Sequence, residues 1–218
     1  MKINKKNARI FAKATEQSII QSHQFWVGVM CVIAKECGFR LMRERSYSNT
    51  SNKRLRKLFS VCRDIDDEVL DIVKKDNMMF FDIIYGGKLG NAKGTSDGWD
   101  CRGWGFNQLT GFSTWKRYGV NEARLKDPKH AAEVSIRFFE ERIKNIEKHH
   151  PHKLRNIYGA KTINEIEEES TGGMLVQLAC HMNAGFGYGS HSAVVLRAYE
   201  KAIQYYDEML DIYWEAEG

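Results

Sequence analysis

The chain is 218 residues long, carries a formal net charge of +5, and is 43% hydrophobic and 28% charged. That length suits one domain over residues 1–218 with a substantial core. Two prolines and no low-complexity run exclude an obvious linker between independent domains, and no apolar stretch reaches the length of a membrane span.

The first seventeen residues, MKINKKNARIFAKATEQ, are basic but lack the continuous apolar segment of a secretory signal. Ile20, Val27, Met30, Cys31 and Ala34 recur at helical spacing and predict a largely buried helix over Ile19–Ala34, stopped by Gly38. Glu36 falls at the C-terminal end of that helix. The macrodipole disfavours negative charge there, and burial would raise its pKa. Both effects favour the protonated form that a general acid requires. Glu44 follows after the break at Gly38. On one continuous helix the eight-residue spacing would put the two carboxylates roughly 12 Å apart along the axis; the break lets the chain turn and bring them closer. Each has a plainer alternative. Glu36 could be a helix-end surface residue, and Glu44 could pair with Arg43 or Arg45. The acidic run Asp64, Asp66, Asp67, Glu68 and Asp71 lacks a calcium-loop pattern and reads as the solvated face of a helix over 65–75.

From Tyr85 to Tyr118 the sequence places eight glycines among aromatic residues and the neutral hydrogen-bonding side chains Asn91, Asn107, Gln108 and Thr110. Glycine lets backbone approach a ligand closely. Aromatic faces with amides and hydroxyls suit sugars, whereas no phosphate-loop pattern is present. Gln108 and Thr110, with Asn183 further on, could equally be caps of buried loop backbone. Downstream, Asp127-Pro128 starts a helix over Ala131–Lys148, and residues 149–171 read as a polar excursion with a short helix around Ile163–Glu169. Met174–Met182 is a short apolar segment ending in a turn at Asn183, and Ser192–Trp214 has continuous helical spacing. Strand patterns are scarce. His149, His150 and His152 lack a fourth ligand, and the odd count of five cysteines shows no CxxC pair, so buried reduced thiols and no metal or other cofactor are expected.

The order AKECGF, a nearby Glu with Tyr-Ser, YGGKLGN, DGWDCRGWGFNQLTG and finally Asn183-Ala184-Gly185 resembles the glycoside hydrolase family 19 type of lysozyme and chitinase domain, most closely its phage endolysin branch. The resemblance spans about residues 20–205. It implies a mainly α, lysozyme-like, two-lobed helical fold with a catalytic cleft and a Gly-rich loop or small hairpin. It also implies a glycosidase that cuts peptidoglycan strands at β-1,4 bonds between N-acetylated sugars. In that frame Glu36 is the general acid, Glu44 the general base and Thr110 a holder of the attacking water. Tyr85, Asn91, Trp104, Asn107, Gln108 and Asn183 are substrate-binding. Arg197, on the last helix, could reach the cleft to steer a carboxylate, but a plain surface position is the favoured reading. The chain departs from the family pattern at Cys101, Trp104 and Thr114. The departures at Trp104 and Thr114 keep open a non-catalytic wall-binding or virion structural protein with the same fold. A chitinase stays open because chitin presents the same β-1,4-linked N-acetylated sugars.

The basic clusters Lys2–Lys6, Arg40–Arg45 and Lys53–Lys57 come with no nucleic-acid-binding signature, so attraction to anionic wall polymers is the expected use of the charge. The expected protein is a monomer that binds no nucleic acid and does not insert stably into membranes. It would be made in the cytoplasm of a phage-infected cell and reach the wall through another factor, or travel on the virion.

Overall fold

The computed structural model describes residues 2–149, 151–158, 172–184 and 192–217. The predicted helix around Ile163–Glu169, His150 and Gly185 lie outside them. The protein is mainly helical, and its helices cluster into two compact units. One is built from Met1–Leu41 with Lys126–Gly218, the other from Met42–Leu125.

In the first unit, α1 spans Lys5–Thr15 and α2 spans His23–Cys37. The second helix begins four residues later than its apolar periodicity suggested, because the Ser22 hydroxyl accepts the Phe25 amide and caps it there. It ends as expected at Gly38, in the left-handed conformation. Trp26 is buried and donates its indole N–H to the Ile20 carbonyl, which fixes the entering loop. The chain beyond Gly38 is tied back to α1: the Asn7 amide donates to the Phe39 carbonyl, and the Asn4 N–H to that of Gly38. Phe39 is fully buried against Phe11 despite a φ of 57°.

The rest of this unit is α9 (Pro128–His149), α10 (Pro151–Tyr158), α11 (Gly172–Ala184), α12 (Ala193–Ala202), a 3₁₀ turn at Ile203–Tyr205 and α13 (Tyr206–Glu217). Asp127 caps α9 through the Lys129 amide, as the Asp-Pro start signal predicts. The continuous helix expected over Ser192–Trp214 is broken. The 3₁₀ turn separates α12, which buries Val195 and Ala202, from α13, which buries Met209, Ile212 and Tyr213. Asp207 and Glu208 then occupy the first turn of α13, where the helix dipole favours them. Helix α2 packs chiefly on α11, and α1 packs on α9 and α13.

The second unit holds α3 (Asn52–Leu58), a 3₁₀ turn at Ser60–Asp64, α4 (Asp67–Val73), α5 (Asn77–Tyr85), α6 (Asp97–Asp100) and α7 (Phe112–Tyr118), with α8 (Glu122–Lys126) at its end. Leu55, Leu70, Phe80, Phe81 and Ile84 form its core, and Tyr47, Phe59, Tyr85 and Trp99 pack against them. Two short strands, β1 (Met42–Arg43) and β2 (Trp104–Gly105), pair antiparallel with Met42 opposite Gly105. Trp104 also pairs with Leu109, so residues 104–109 form a tight hairpin turn.

All five cysteines are free and buried. Burial pushes the Cys37 thiol up to about 11 and that of Cys180 to about 12. No described helix is long and apolar enough to cross a membrane.

Candidate functional site

The residues singled out in the sequence fall into two groups, one in each unit. Glu36, Asn183 and Arg197 belong to the first unit; Glu44, Tyr85, Asn91, Trp104, Asn107, Gln108 and Thr110 belong to the second.

Glu36 occupies the last turn of α2, as expected, but the expected burial is not found. The core face of that turn is filled by Ile33, Ala34 and Cys37, and the Glu36 side chain is 39% exposed. Its Oε1 pairs with the Lys35 ammonium at 2.5 Å and accepts a long hydrogen bond from the Asn183 amide at 3.5 Å. Asn183 lies within the last turn of α11, in the helix itself. A cavity of about 300 Å³ opens beside them, lined by residues of α2, α11 and α12 that include Arg197. The sequence therefore named three residues that share one cavity, and missed Lys35 and Lys201 on its wall.

In the second unit the organising residue is Glu44. It follows β1, and its amide donates to the Gly103 carbonyl at 2.8 Å. Its carboxylate is held from three directions. Tyr47 donates to Oε1 at 2.7 Å, Tyr85 contacts both oxygens at 3.1 Å, and the Gly103 amide donates to Oε2 at 3.3 Å. The surface pairing with Arg43 is not found. Arg43 bonds Glu122 at 3.2 Å, and its guanidinium lies near the rings of Trp99 and Trp104. Burial and the adjacent carboxylate push the phenols of Tyr47 and Tyr85 well above the ordinary tyrosine range, so both remain donors.

Arg102, which sequence reasoning passed over, braces this arrangement. It is 5% exposed, donates Nε to the Glu44 carbonyl at 3.0 Å, bonds the Trp99 carbonyl and stacks on the Trp99 ring. Burial, reinforced by the neighbouring Arg43 charge, lowers its guanidinium to about 10. Tyr47 was also missed as a functional residue. Its signal was the Tyr-Ser pair close after Glu44, which marked the motif without showing that the phenol binds the carboxylate.

The glycine-rich segment serves the chain more than an open binding wall. Asn91 is 4% exposed; its amide donates to the Tyr85 carbonyl at 3.2 Å and its Oδ1 accepts the Phe112 amide at 2.8 Å. Gly111, at φ 94°, passes so near Leu89 that an added Cβ would sit 2.4 Å from the leucine Cβ. Trp104 was expected on a binding surface but is 6% exposed and lies in the unit's interior with Cys101, Trp115 and Leu125. Gln108 spends its amide on the carbonyls of Met42 and Gly105, at 2.9 and 3.0 Å. Thr110 donates its hydroxyl to the Gln108 carbonyl at 3.0 Å. The Gln108 Oε1 and Thr110 Oγ1 nonetheless flank Gly103, whose amide touches Glu44. Asn107 is half-buried, and its Nδ2 and Oδ1 have no hydrogen-bond partner among the described residues.

Among the described residues no group of three or more His, Cys, Asp or Glu side chains could hold a metal. What the two groups offer chemically is a carboxylate beside an open cavity and a carboxylate oriented by neutral donors. No protein-family model matches the chain, and no curated protein matches its sequence.

Proposed function

We propose that the chain is a peptidoglycan glycosidase with a lysozyme-like fold, hydrolysing β-1,4 bonds between N-acetylated sugars by acid–base catalysis with inversion. The observation that carries this reading is the grip on Glu44. Two phenols and a backbone amide converge on one side chain, and a fixed orientation is what a catalytic carboxylate requires. In this reading Glu44 accepts a proton from the attacking water, with the Thr110 hydroxyl helping to hold that water. Glu36 protonates the leaving glycosidic oxygen beside its cavity. The order of motifs that resembles family 19 lysozymes supplies these roles; the Lys35 ammonium must release Glu36 before it can carry the proton.

One observation favours a second reading, a protein that binds wall polymers without cleaving them. A carboxylate offers about four lone-pair directions, and Tyr47, Tyr85 and Gly103 already bring three protons to it, that of Tyr85 lying between the two oxygens. A catalytic water must displace part of the Tyr85 contact before Glu44 can serve it.

Digestion of purified sacculi followed by borohydride reduction and mass spectrometry separates the readings. New reduced muramitol ends are expected. Reduced glucosaminitol ends would mean a glucosaminidase, and chitin oligomers released with sacculi untouched would mean a chitinase. Protein that pellets with sacculi yet generates no reducing ends would establish the binding protein and overturn the glycosidase.

A further inference from the structure

The cavity beside Glu36 has a charge bias that the proposed acid role does not use. Lys35 and Glu36 come from α2, Asn183 from α11, and Val194, Arg197 and Lys201 from α12. Spacings of three and four residues place Val194, Arg197 and Lys201 on one face of α12, and all three meet the same cavity. The Lys35 ammonium and the Glu36 carboxylate neutralise each other at 2.5 Å. Arg197 and Lys201 have no ion-pair partner among the described residues. Like charges one turn apart disfavour a helix slightly, and an anion held by both would relieve that repulsion; Glu200, also on α12, pairs with neither.

We infer that this cavity binds a carboxylate carried on an N-acetylated sugar. Arg197 offers a planar fork that fits a carboxylate with two parallel hydrogen bonds, and Lys201 adds a point charge. The Asn183 amide and the apolar Val194 provide a polar and an apolar surface for the sugar that carries it. The inference rests on the peptidoglycan reading and deepens it. Chitin is neutral, whereas peptidoglycan carries acid on its muramic lactyl group or on its stem peptide. Discrimination between the two polymers therefore belongs to α12 and not to the residues that hold Glu44.

The test needs no cleavable bond, so the active protein serves throughout. N-acetylglucosamine, N-acetylmuramic acid and muramyl dipeptide are titrated separately, and binding is read from the amide shifts of α12. Both acidic probes are expected to bind about tenfold tighter than the neutral sugar at low salt. Arg197→Gln combined with Lys201→Gln should bring all three to the neutral affinity. Both side chains are exposed, so the fold tolerates the change. Tighter binding of N-acetylmuramic acid identifies the lactyl carboxylate, and tighter binding of muramyl dipeptide identifies the stem. Equal binding of all three probes, or a preference that survives the double substitution, overturns the inference. The two proposals fail separately. A preference seen in a protein that does not cut sacculi keeps the site and removes the enzyme; cleavage without any preference does the reverse.

Discussion

Glu44 and Glu36 are both glutamates near the same break in the chain, yet their surroundings differ. Glu44 is oriented by neutral donors, whereas Glu36 answers to a lysine and an asparagine at the rim of a cavity. Glu36→Gln keeps the volume and removes the transferable proton. It should lower wall lysis by at least roughly 10²–10⁴-fold, the usual share of general acid–base catalysis. Near-normal turbidity loss with that variant would remove Glu36 from the acid role. Tyr85→Phe has an outcome of diagnostic sign. It frees a lone-pair direction on Glu44 while removing a bond to a charged group, which contributes about 1.5–3 kcal/mol. Chemical denaturation should report a loss of stability in or below that range, since the site is only partly buried. The same two tyrosines set an alkaline limit. Their folded pKa values lie above the ordinary 10.0, so the unfolded chain releases these protons first. The stability they contribute is complete below pH 10 and drains away as pH rises beyond it. Tyr47→Phe and Tyr85→Phe should each flatten that decline in melts recorded between neutral and strongly alkaline pH.

At the scale of elements, the end of α2 was legible because its stop signal is local: a glycine follows an apolar run. The start of α9 was legible for the same reason, through Asp127-Pro128. The break between α12 and α13 was not, since the buried Val195, Ala202 and Met209 keep one apolar spacing straight across it. The glycine-rich segment misled in a different way. Its glycines mark close approach, but sequence alone does not distinguish approach to a ligand from approach to another strand of the same chain. Asn91, Gln108 and Gly111 answer to neighbouring backbone or to Leu89. Close approach also governs the contact of α2 with α11. An added Cβ on Gly28 would lie 2.9 Å from the carbonyl carbon and oxygen of Leu175. Gly28→Ala should therefore cost about 1–3 kcal/mol through forced separation of the helices, despite alanine's higher helix propensity. Thermal melts of the variant check this, and an unchanged melting temperature would mean that the two helices adjust without cost.

For the whole molecule, the net charge of +5 would act at a distance on the anionic wall polymer proposed as substrate. Wall lysis should weaken as ionic strength rises and the screening length contracts to about 8 Å near physiological salt. Turbidity assays across a salt series check this, and a flat response would place recognition in short-range contacts alone. If the reaction inverts, product analysed before mutarotation should be the α-anomer from a β-linked strand; a β-anomer would require a different role for Glu44. The two units also differ in how the chain supplies them. Met42–Leu125 is one continuous stretch, whereas the other unit is interrupted by it. A ribosome therefore finishes the stretch that carries Glu44 while α2, with eleven of its fifteen residues destined for burial, still awaits α11. Asn183, Arg197 and Lys201 reach Glu36 only when the last helices have been made. Glu36 is the earlier of the two glutamates to be translated and the later to acquire its surroundings, so a chain released early holds Glu36 without its cavity.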